Sequence, residues 1–412
     1  MPWKVTDVSE QRVQFVVRAA SRREEMSALC REFGVSRPTG YRWRERFREV
    51  GSVQALGERS RRPHHSPGKT APAIEERVVL LRQHTGWGAK KLQVLLAEAG
   101  LPLPVVTIHR VLKRRGLVRE ADSHPPAVER FERAQPNELW QMDAKGKYEA
   151  RDGLCTPLSI LDDHSRYAVG LHALERLTAD VVQSCLVRTF QRYGLPEAML
   201  MDHGTPWWST TNGFGLTWLS VWLIEQGLGL HYGRIAHPQT QGKVERFHRT
   251  LGQEIRHRGQ PQWVREWPGM LEKIRWVYNE ERPHEGIGMR RPTERYRPSR
   301  RSYQPQPRAW EYPLGSHLQR ISSQGFLRWG GQPWFVCEAL AGRPVRVEVV
   351  EELVLVSYRH LYIREIDLRR KVSRPLVLDR PRGGAPTVVE ALRSPSGLPS
   401  GLNDEPQRAN KV

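Results

Sequence analysis

Three acidic side chains stand where they could share a divalent cation against a phosphate: Asp143, Asp202 and Glu245. Glu245 lies in HPQTQGKVERFHRTL, residues 237–251. Pro238 ends any incoming strand and the polar run 239–242 forms a turn. From Lys243 onward Val244, Phe247, His248 and Leu251 recur at the spacing of one helix face. Glu245 sits just off that face, flanked by Lys243, Arg246 and Arg249. An acid at a helix start among three cations suits a metal-bound phosphate, although a solvated face of mixed charge produces the same pattern more often. Asp143 ends the alternating stretch NELWQMDAK (137–145), and Asp202 follows the apolar run 198–201 in PEAMLMDHGTP. Each reads as a strand delivering a carboxylate to its end. A lone aspartate there is more often a turn former or cap; the order Asp, Asp, Glu on two strands and a helix is more specific. Phosphodiester cleavage needs an in-line attacking oxygen and charge relief on the leaving one, which two divalent ions about 4 Å apart supply. Mg²⁺, a hard cation that keeps open positions, suits such a site, with Asp143 bridging two ions and Asp202 and Glu245 each favouring one. The carboxylates by themselves imply metal-dependent phosphoryl chemistry and no more.

The elements that must position them follow from periodicity. Strands are expected at 138–144, 156–162 and 166–174, with a hairpin turn at Asp163-His164-Ser165 in which Asp162 and Asp163 act as turn formers rather than metal ligands. A helix over 178–193 crosses to a strand at 197–201; a helix at 217–226, a strand at 229–235, the Glu245 helix and a helix at 263–279 complete the region. Hairpin strands followed by alternating helix and strand give a mixed α/β sheet sandwiched by helices. Upstream, helices at 10–20, 23–33 and 37–50 form a helix-turn-helix pattern, with Ser36 as N-cap, Trp43 and Phe47 inward, and Arg37, Arg42, Arg44, Arg46 and Arg48 outward. A small bundle with a solvated basic face looks similar; the arginines' concentration on the third helix favours DNA. A second all-α module is expected from helices at 73–84, 89–99 and 105–115, with Arg110, Lys113, Arg114 and Arg115 on or near the exposed side of the last. Short strands over 318–368, broken at Gly331 and Gly342, suggest a small C-terminal β-barrel. There Trp329, Trp334, Arg328, Arg343 and Arg346 could make a DNA face, though such aromatics are more often core. The expected domains are 1–56 and 73–120 (helix-turn-helix), 137–298 (catalytic core) and 299–380 (barrel). They are joined by a basic linker at 57–72 carrying Arg61 and Arg62 and a connector at 121–136, and followed by a disordered tail at 381–412.

A net charge of +20 and a pI near 10.3 point to a polyanionic partner, nucleic acid before any other. No long apolar span, lipid-anchor motif or signal-peptide core is visible, which argues against a membrane and for an intracellular protein. Cys30, Cys155, Cys185 and Cys337 lie far apart without zinc or disulfide spacing, and His64-His65 has no CxxC after it, so reduced, buried thiols are expected.

The chain resembles bacterial insertion-sequence transposases with an integrase-type catalytic core, the DDE branch of the ribonuclease H-like superfamily. The resemblance rests on LWQMD around Asp143, LDDHSRYAVG at 161–170, LMDHG around Asp202, the Glu245 stretch and YNEERPHEGIGMRRPTERY at 278–296. It runs from roughly residue 77 to residue 298, with a looser match at the N-terminus. It implies a ribonuclease H-like core with Asp143, Asp202 and Glu245 catalytic, two Mg²⁺ or Mn²⁺ ions, and 3′-end cleavage followed by strand transfer. The implied partners are the element's terminal inverted repeats, target DNA and at least a second copy of the chain; the implied location is the bacterial cytoplasm. DNA contacts are expected from Arg42, Arg44, Arg46, Arg48, Arg61, Arg62, Arg110, Lys113, Arg114, Lys243, Arg246 and Arg249. His203 stands where the family commonly has Asn, and the interval from Asp202 to Glu245 is long, with the extra residues in the Trp/Gly/Thr-rich stretch 207–218. A nuclease without strand transfer uses the same triad. A transcription regulator needs only the N-terminal modules and leaves the triad unexplained.

Overall fold

The computed structural model describes residues 8–57, 68–118, 132–209, 215–233 and 242–379. The chain divides into two compact units, Met1–Ala71 and Pro72–Val412. The linker arginines Arg61 and Arg62, His64-His65, much of the connector, the polar turn before Glu245 and the C-terminal tail lie outside the described residues.

In the first unit, α1 (Val8–Ala20), α2 (Met26–Glu32) and α3 (Arg37–Val50) close around Phe15, Val16, Ala19, Leu29, Cys30 and Leu56. The Ser36 side chain caps α3 by accepting the Thr39 N–H at 3.3 Å. Gly40 lets α3 approach its neighbours: a Cβ there would meet Cys30 Sγ at 2.6 Å and Phe15 at 2.8 Å. Trp43 and Phe47 pack half-buried against this core.

In the second unit, α4 (Pro72–Thr85), α5 (Ala89–Glu98) and α6 (Val105–Arg114) bury Val78, Trp87, Leu92, Leu96, Ile108, Val111 and Leu112 together with Val277. The sheet that follows contains β1 (Leu139–Ala144), β2 (Tyr148–Ala150), β3 (Gly153–Asp162), β4 (Ala168–Leu174), β5 (Ala198–Met201) and β8 (Gly229–Tyr232). Connecting elements are α7 (Ala179–Tyr193), a small hairpin of β6 (Trp208–Ser209) and β7 (Gly215–Leu216), and α8 (Trp218–Glu225). β3 pairs antiparallel with β1 and β2 along one edge and β4 along the other, while β1, β5 and β8 run parallel. The buried, near-continuous apolar runs of β3 and β5 are those of strands covered on both faces. α7 and α8 cover one face; α9 (Gly242–Arg258) and α10 (Trp267–Trp276) cover the other through Phe247, Leu251, Ile255, Trp267, Leu271 and Ile274. The α9 face expected from periodicity is the buried one. α11 (Pro292–Arg295) follows a π-turn at Val277–Glu281.

The C-terminal segment differs from the expected barrel. Strands β9 (Leu318–Arg320), β12 (Pro344–Val350), β13 (Leu353–Tyr358), β14 (Leu361–Asp367) and β15 (Val372–Asp379) form an open antiparallel sheet in the order β15-β14-β13-β12-β9. β10 (Phe326–Trp329) and β11 (Gln332–Phe335) form a separate hairpin. Closure requires the two edge strands to meet; among the described residues, β9 pairs only with β12 and β15 only with β14. The sheet instead spends its apolar face on the core domain, sharing one hydrophobic cluster with α7 and α8. That explains why α8 is apolar nearly all round. Trp329 and Trp334 pack against this cluster, Arg343 pairs with Glu225, and Arg346 with Glu348 at 2.5 Å, so four of the five residues considered for a DNA face are engaged within the protein.

All four cysteines are buried and free. Among the described residues no helix is long and apolar enough to cross a membrane.

Candidate active site

The parallel register of β1 and β5 decides where the two aspartates fall. Leu139, Trp140 and Gln141 pair with Ala198, Met199 and Leu200; the same register carried three residues beyond Trp140 brings Asp143 opposite Asp202. Both leave the carboxyl edge of the parallel strands, where open α/β sheets place their ligand sites. Glu245 sits in the first turn of α9, exposed, and the buried Val244 and Phe247 fix that helix on the sheet. Burial, then the charge of Asp202, push the Asp143 carboxyl up to about 6; Glu245 adds to the rise, and the Ala144 N–H opposes it. Among the described residues neither Asp202 nor Glu245 has a salt-bridge partner, and no three His, Cys, Asp or Glu side chains are gathered closely enough to enclose an ion.

Each aspartate is held by a neighbour that the sequence did not single out for that role. Asp143 Oδ1 accepts the Ala144 N–H at 2.8 Å, and Oδ2 lies 3.5 Å from His248 Nδ1. His248 is buried, its other ring nitrogen lies 3.0 Å from Ser159 Oγ, and burial lowers its pKa to about 4. It is therefore a neutral ring at pH 7, packed beside Asp143 rather than paired with it by charge. Asp202 Oδ1 accepts two N–H groups, from the Gly204 backbone at 3.0 Å and from the Trp207 indole at 2.6 Å. His203 packs edge-on against Trp208, ring centroids 4.9 Å apart.

The β3–β4 turn does more than reverse the chain. Asp162 is buried and accepts the Asn137 N–H at 2.7 Å and Ser165 N and Oγ at 2.8 and 2.5 Å, as a turn former should. Asp163, also fully buried, accepts the Arg133 N–H at 2.8 Å, Gln141 Nε2 at 2.8 Å and the Lys243 ammonium. Gln141 in turn accepts the Val244 N–H at 3.4 Å. One buried carboxylate thus ties β1, which carries Asp143, to the start of α9, which carries Glu245.

The residues expected to meet DNA divide by environment. Arg42, Arg48, Arg110, Lys113, Arg246 and Arg249 are exposed, Arg48 beside Glu45 at 2.6 Å. Arg44 stacks over Tyr41 at 5.0 Å. Arg46 donates to the Gly57 carbonyl at 2.9 Å and lies over Trp43, so it holds the end of its own unit together. Arg114 pairs with the buried Glu75 at 3.1 Å. Lys243 points at Asp163, and burial pulls its ammonium down to about 8 against the pull of that partner. Their spacing resembles that of surface cations; only an internal partner sets Arg46, Arg114 and Lys243 apart.

Comparisons with known proteins match the same segments. Helix-turn-helix domain profiles match residues 11–64, and a homeodomain-like profile 39–112. Integrase core domain profiles match residues 133–238, which contain Asp143 and Asp202, and residues 226–292, which contain Glu245. The insertion element IS407 uncharacterized 31.7 kDa protein of Burkholderia multivorans is 22% identical over 274 residues, 65% of this chain and 93% of that protein. The Gag-Pol polyprotein of baboon endogenous virus is 21% identical over 236 residues, 54% of this chain and 13% of the polyprotein. A simian T-cell lymphotropic virus intasome structure aligns over 74% of this chain and 100% of its own at 15% identity and a TM-score of 0.35. The HTLV-2 integrase catalytic core domain in complex with magnesium aligns over 39% of this chain and 97% of its own at 14% identity and a TM-score of 0.31. The chain thus carries helix-turn-helix domains ahead of an integrase core domain and is similar to an insertion-element protein over nearly that protein's whole length.

Proposed function

We propose that this chain binds the terminal inverted repeats of its element, frees a 3′-hydroxyl at each end and joins it to target DNA, with Asp143, Asp202 and Glu245 holding two Mg²⁺ or Mn²⁺ ions. The observation that carries the reading is the parallel β1–β5 register, which sets Asp143 opposite Asp202, together with an Asp143 carboxyl pushed up to about 6 by burial and then by the charges of Asp202 and Glu245. A carboxylate raised by burial and by neighbouring carboxylates is stabilised when a cation from solution joins it. The donor set is all oxygen, which suits a hard divalent ion. When bound, such ions activate the attacking oxygen and neutralise the leaving one. Asp143, Asp202 and Glu245 would be the residues to hold the ions, with the neutral His248 ring packed beside Asp143. Arg246 and Arg249, exposed on the Glu245 helix, face the polyanion, and exposed Arg42, Arg110 and Lys113 supply phosphate contacts from the two helix-turn-helix segments. Joining two ends to one target needs two active sites, hence at least a homodimer on DNA.

The test is a labelled end oligonucleotide, pre-cleaved to expose its 3′-hydroxyl, incubated with supercoiled plasmid and Mg²⁺ or Mn²⁺ and scored for covalent joining. Wild-type protein is expected to join. Asp143→Asn, Asp202→Asn and Glu245→Gln are expected to lose joining by roughly 10²-fold or more while retaining end binding, because each amide keeps shape and loses ligand charge. Plasmid nicking without joined product, where end binding is confirmed, would favour a nuclease.

A further inference from the structure

We infer that Trp207 braces the Asp202 carboxylate and is a positioning residue for metal binding at the site; this rests on the reading of Asp202 as a metal ligand. Asp202 lies just past the end of β5, with no strand beyond it to hold the backbone. Its Oδ1 is occupied twice, by the Gly204 N–H and, at 2.6 Å, by the Trp207 indole N–H. Among the described residues Oδ2 accepts no hydrogen bond, so the carboxylate is oriented with one oxygen held by protein and the other presented outward. A Cβ at Gly204 would lie 3.0 Å from both Asp202 oxygens, so a side chain there would push the carboxylate by a few tenths of an ångström.

The indole is itself fixed. Trp207 is 1% exposed. Its carbonyl accepts the Ser220 hydroxyl from the first turn of α8 and the Tyr232 hydroxyl, at 3.1 Å, from β8. Trp208 closes the far side, its ring 4.5 Å from Tyr232 and 4.9 Å from His203. The brace therefore runs from α8 and β8 through the Trp207 backbone to its indole and on to Asp202. A buried donor shielded from water holds its acceptor more firmly than a solvated one. The ring alone fills the core; the N–H does the orienting, and Trp207→Phe separates the two.

The experiment uses the full chain without DNA. Melting temperature is followed across a Mg²⁺ titration, because a ligand at free concentration c bound by the folded state stabilises it by RT ln(1 + c/Kd), so the rise begins near Kd; joining activity is measured across the same range. For Trp207→Phe we expect a metal-free melting temperature and end-DNA affinity close to wild type. Its Mg²⁺ half-saturation should rise roughly tenfold in both readouts, as loss of a group supporting a metal ligand does, with the joining rate at saturating Mg²⁺ largely recovered. A structural defect would instead lower the metal-free melting temperature and leave the half-saturation alone. Asp202→Asn is the reference. If it loses the Mg²⁺ response while Trp207→Phe keeps the wild-type half-saturation, the brace is overturned and the metal reading stands. If Asp202→Asn keeps the full response, both fall. Should Trp207→Phe show no cooperative melting, Tyr232→Phe, which removes one donor to the Trp207 carbonyl, is read by the same criterion with a smaller expected shift.

Discussion

Lys243→Met tests whether the cation beside Glu245 serves DNA or the fold. Its partner Asp163 is fully buried, while the Lys243 side chain keeps 16% exposure. Removing one member of a buried pair leaves an uncompensated charge and costs ~3–5 kcal/mol. Residual solvent at Lys243, and the Arg133 and Gln141 donors that Asp163 keeps, reduce this to about 2–3 kcal/mol. For a unit of this size each kcal/mol shifts the melting temperature by about 2 °C, so a drop of about 5 °C is expected. Asp163→Asn with Lys243→Met should be less destabilised than the two single changes summed, because the double variant leaves no unpaired charge. Glu245 lies two residues on, and a displacement of about 1 Å at a reacting group costs roughly 10²-fold in rate, so joining should fall steeply. End-binding affinity and its salt dependence should stay as in wild type. The assays are thermal melting, joining, and end binding at several salt concentrations. An unchanged melting temperature together with a salt slope smaller by about 1 would show Lys243 to be a phosphate contact and refute the argument.

Two further outcomes follow from burial. Arg42→Ala should weaken DNA binding across sequences and reduce the salt slope by about 1 with little change in melting, whereas Arg46→Ala should destabilise the first unit, since it bonds Gly57 and covers Trp43. Burial lowers His172 and His248 to about 4 and His284 to about 3. Folded values below the unfolded 6.5 mean that the stability these rings contribute is present above pH 6.5 and lost as pH falls toward 4, at up to about 1.4 kcal/mol per pH unit per ring. Asp143, raised to about 6, takes up a proton in the folded state and offsets one ring over part of that window. Melting temperature should therefore fall between pH 6.5 and 4.5, and His284→Asn should flatten the fall; a flat wild-type profile would contradict the buried, neutral histidines.

Periodicity and chain order carried much of this molecule. The α9 face at Val244, Phe247, His248 and Leu251, the strands ending at Asp143 and Asp202, the capped α3 and the triad's order are local properties, because a 3.6- or 2-residue repeat and a cap are written in neighbouring residues. Pairing across the chain was not legible. The sequence marked Asp162 and Asp163 alike as turn formers; only the fold shows that Asp163 faces Gln141 and Lys243, residues 22 and 80 positions away. Arg46, Arg114 and Lys243 carry the same surface-cation signature as Arg42 and Lys113, and differ only in having an internal partner. The alternating strands after residue 318 specify a sheet with one apolar face, but not what that face meets. A barrel buries it on itself; here α8 offers a second apolar face, the sheet docks there and stays open. The place of Trp207 was not legible either, because its partners Ser220, Tyr232 and Asp202 come together only in the tertiary structure.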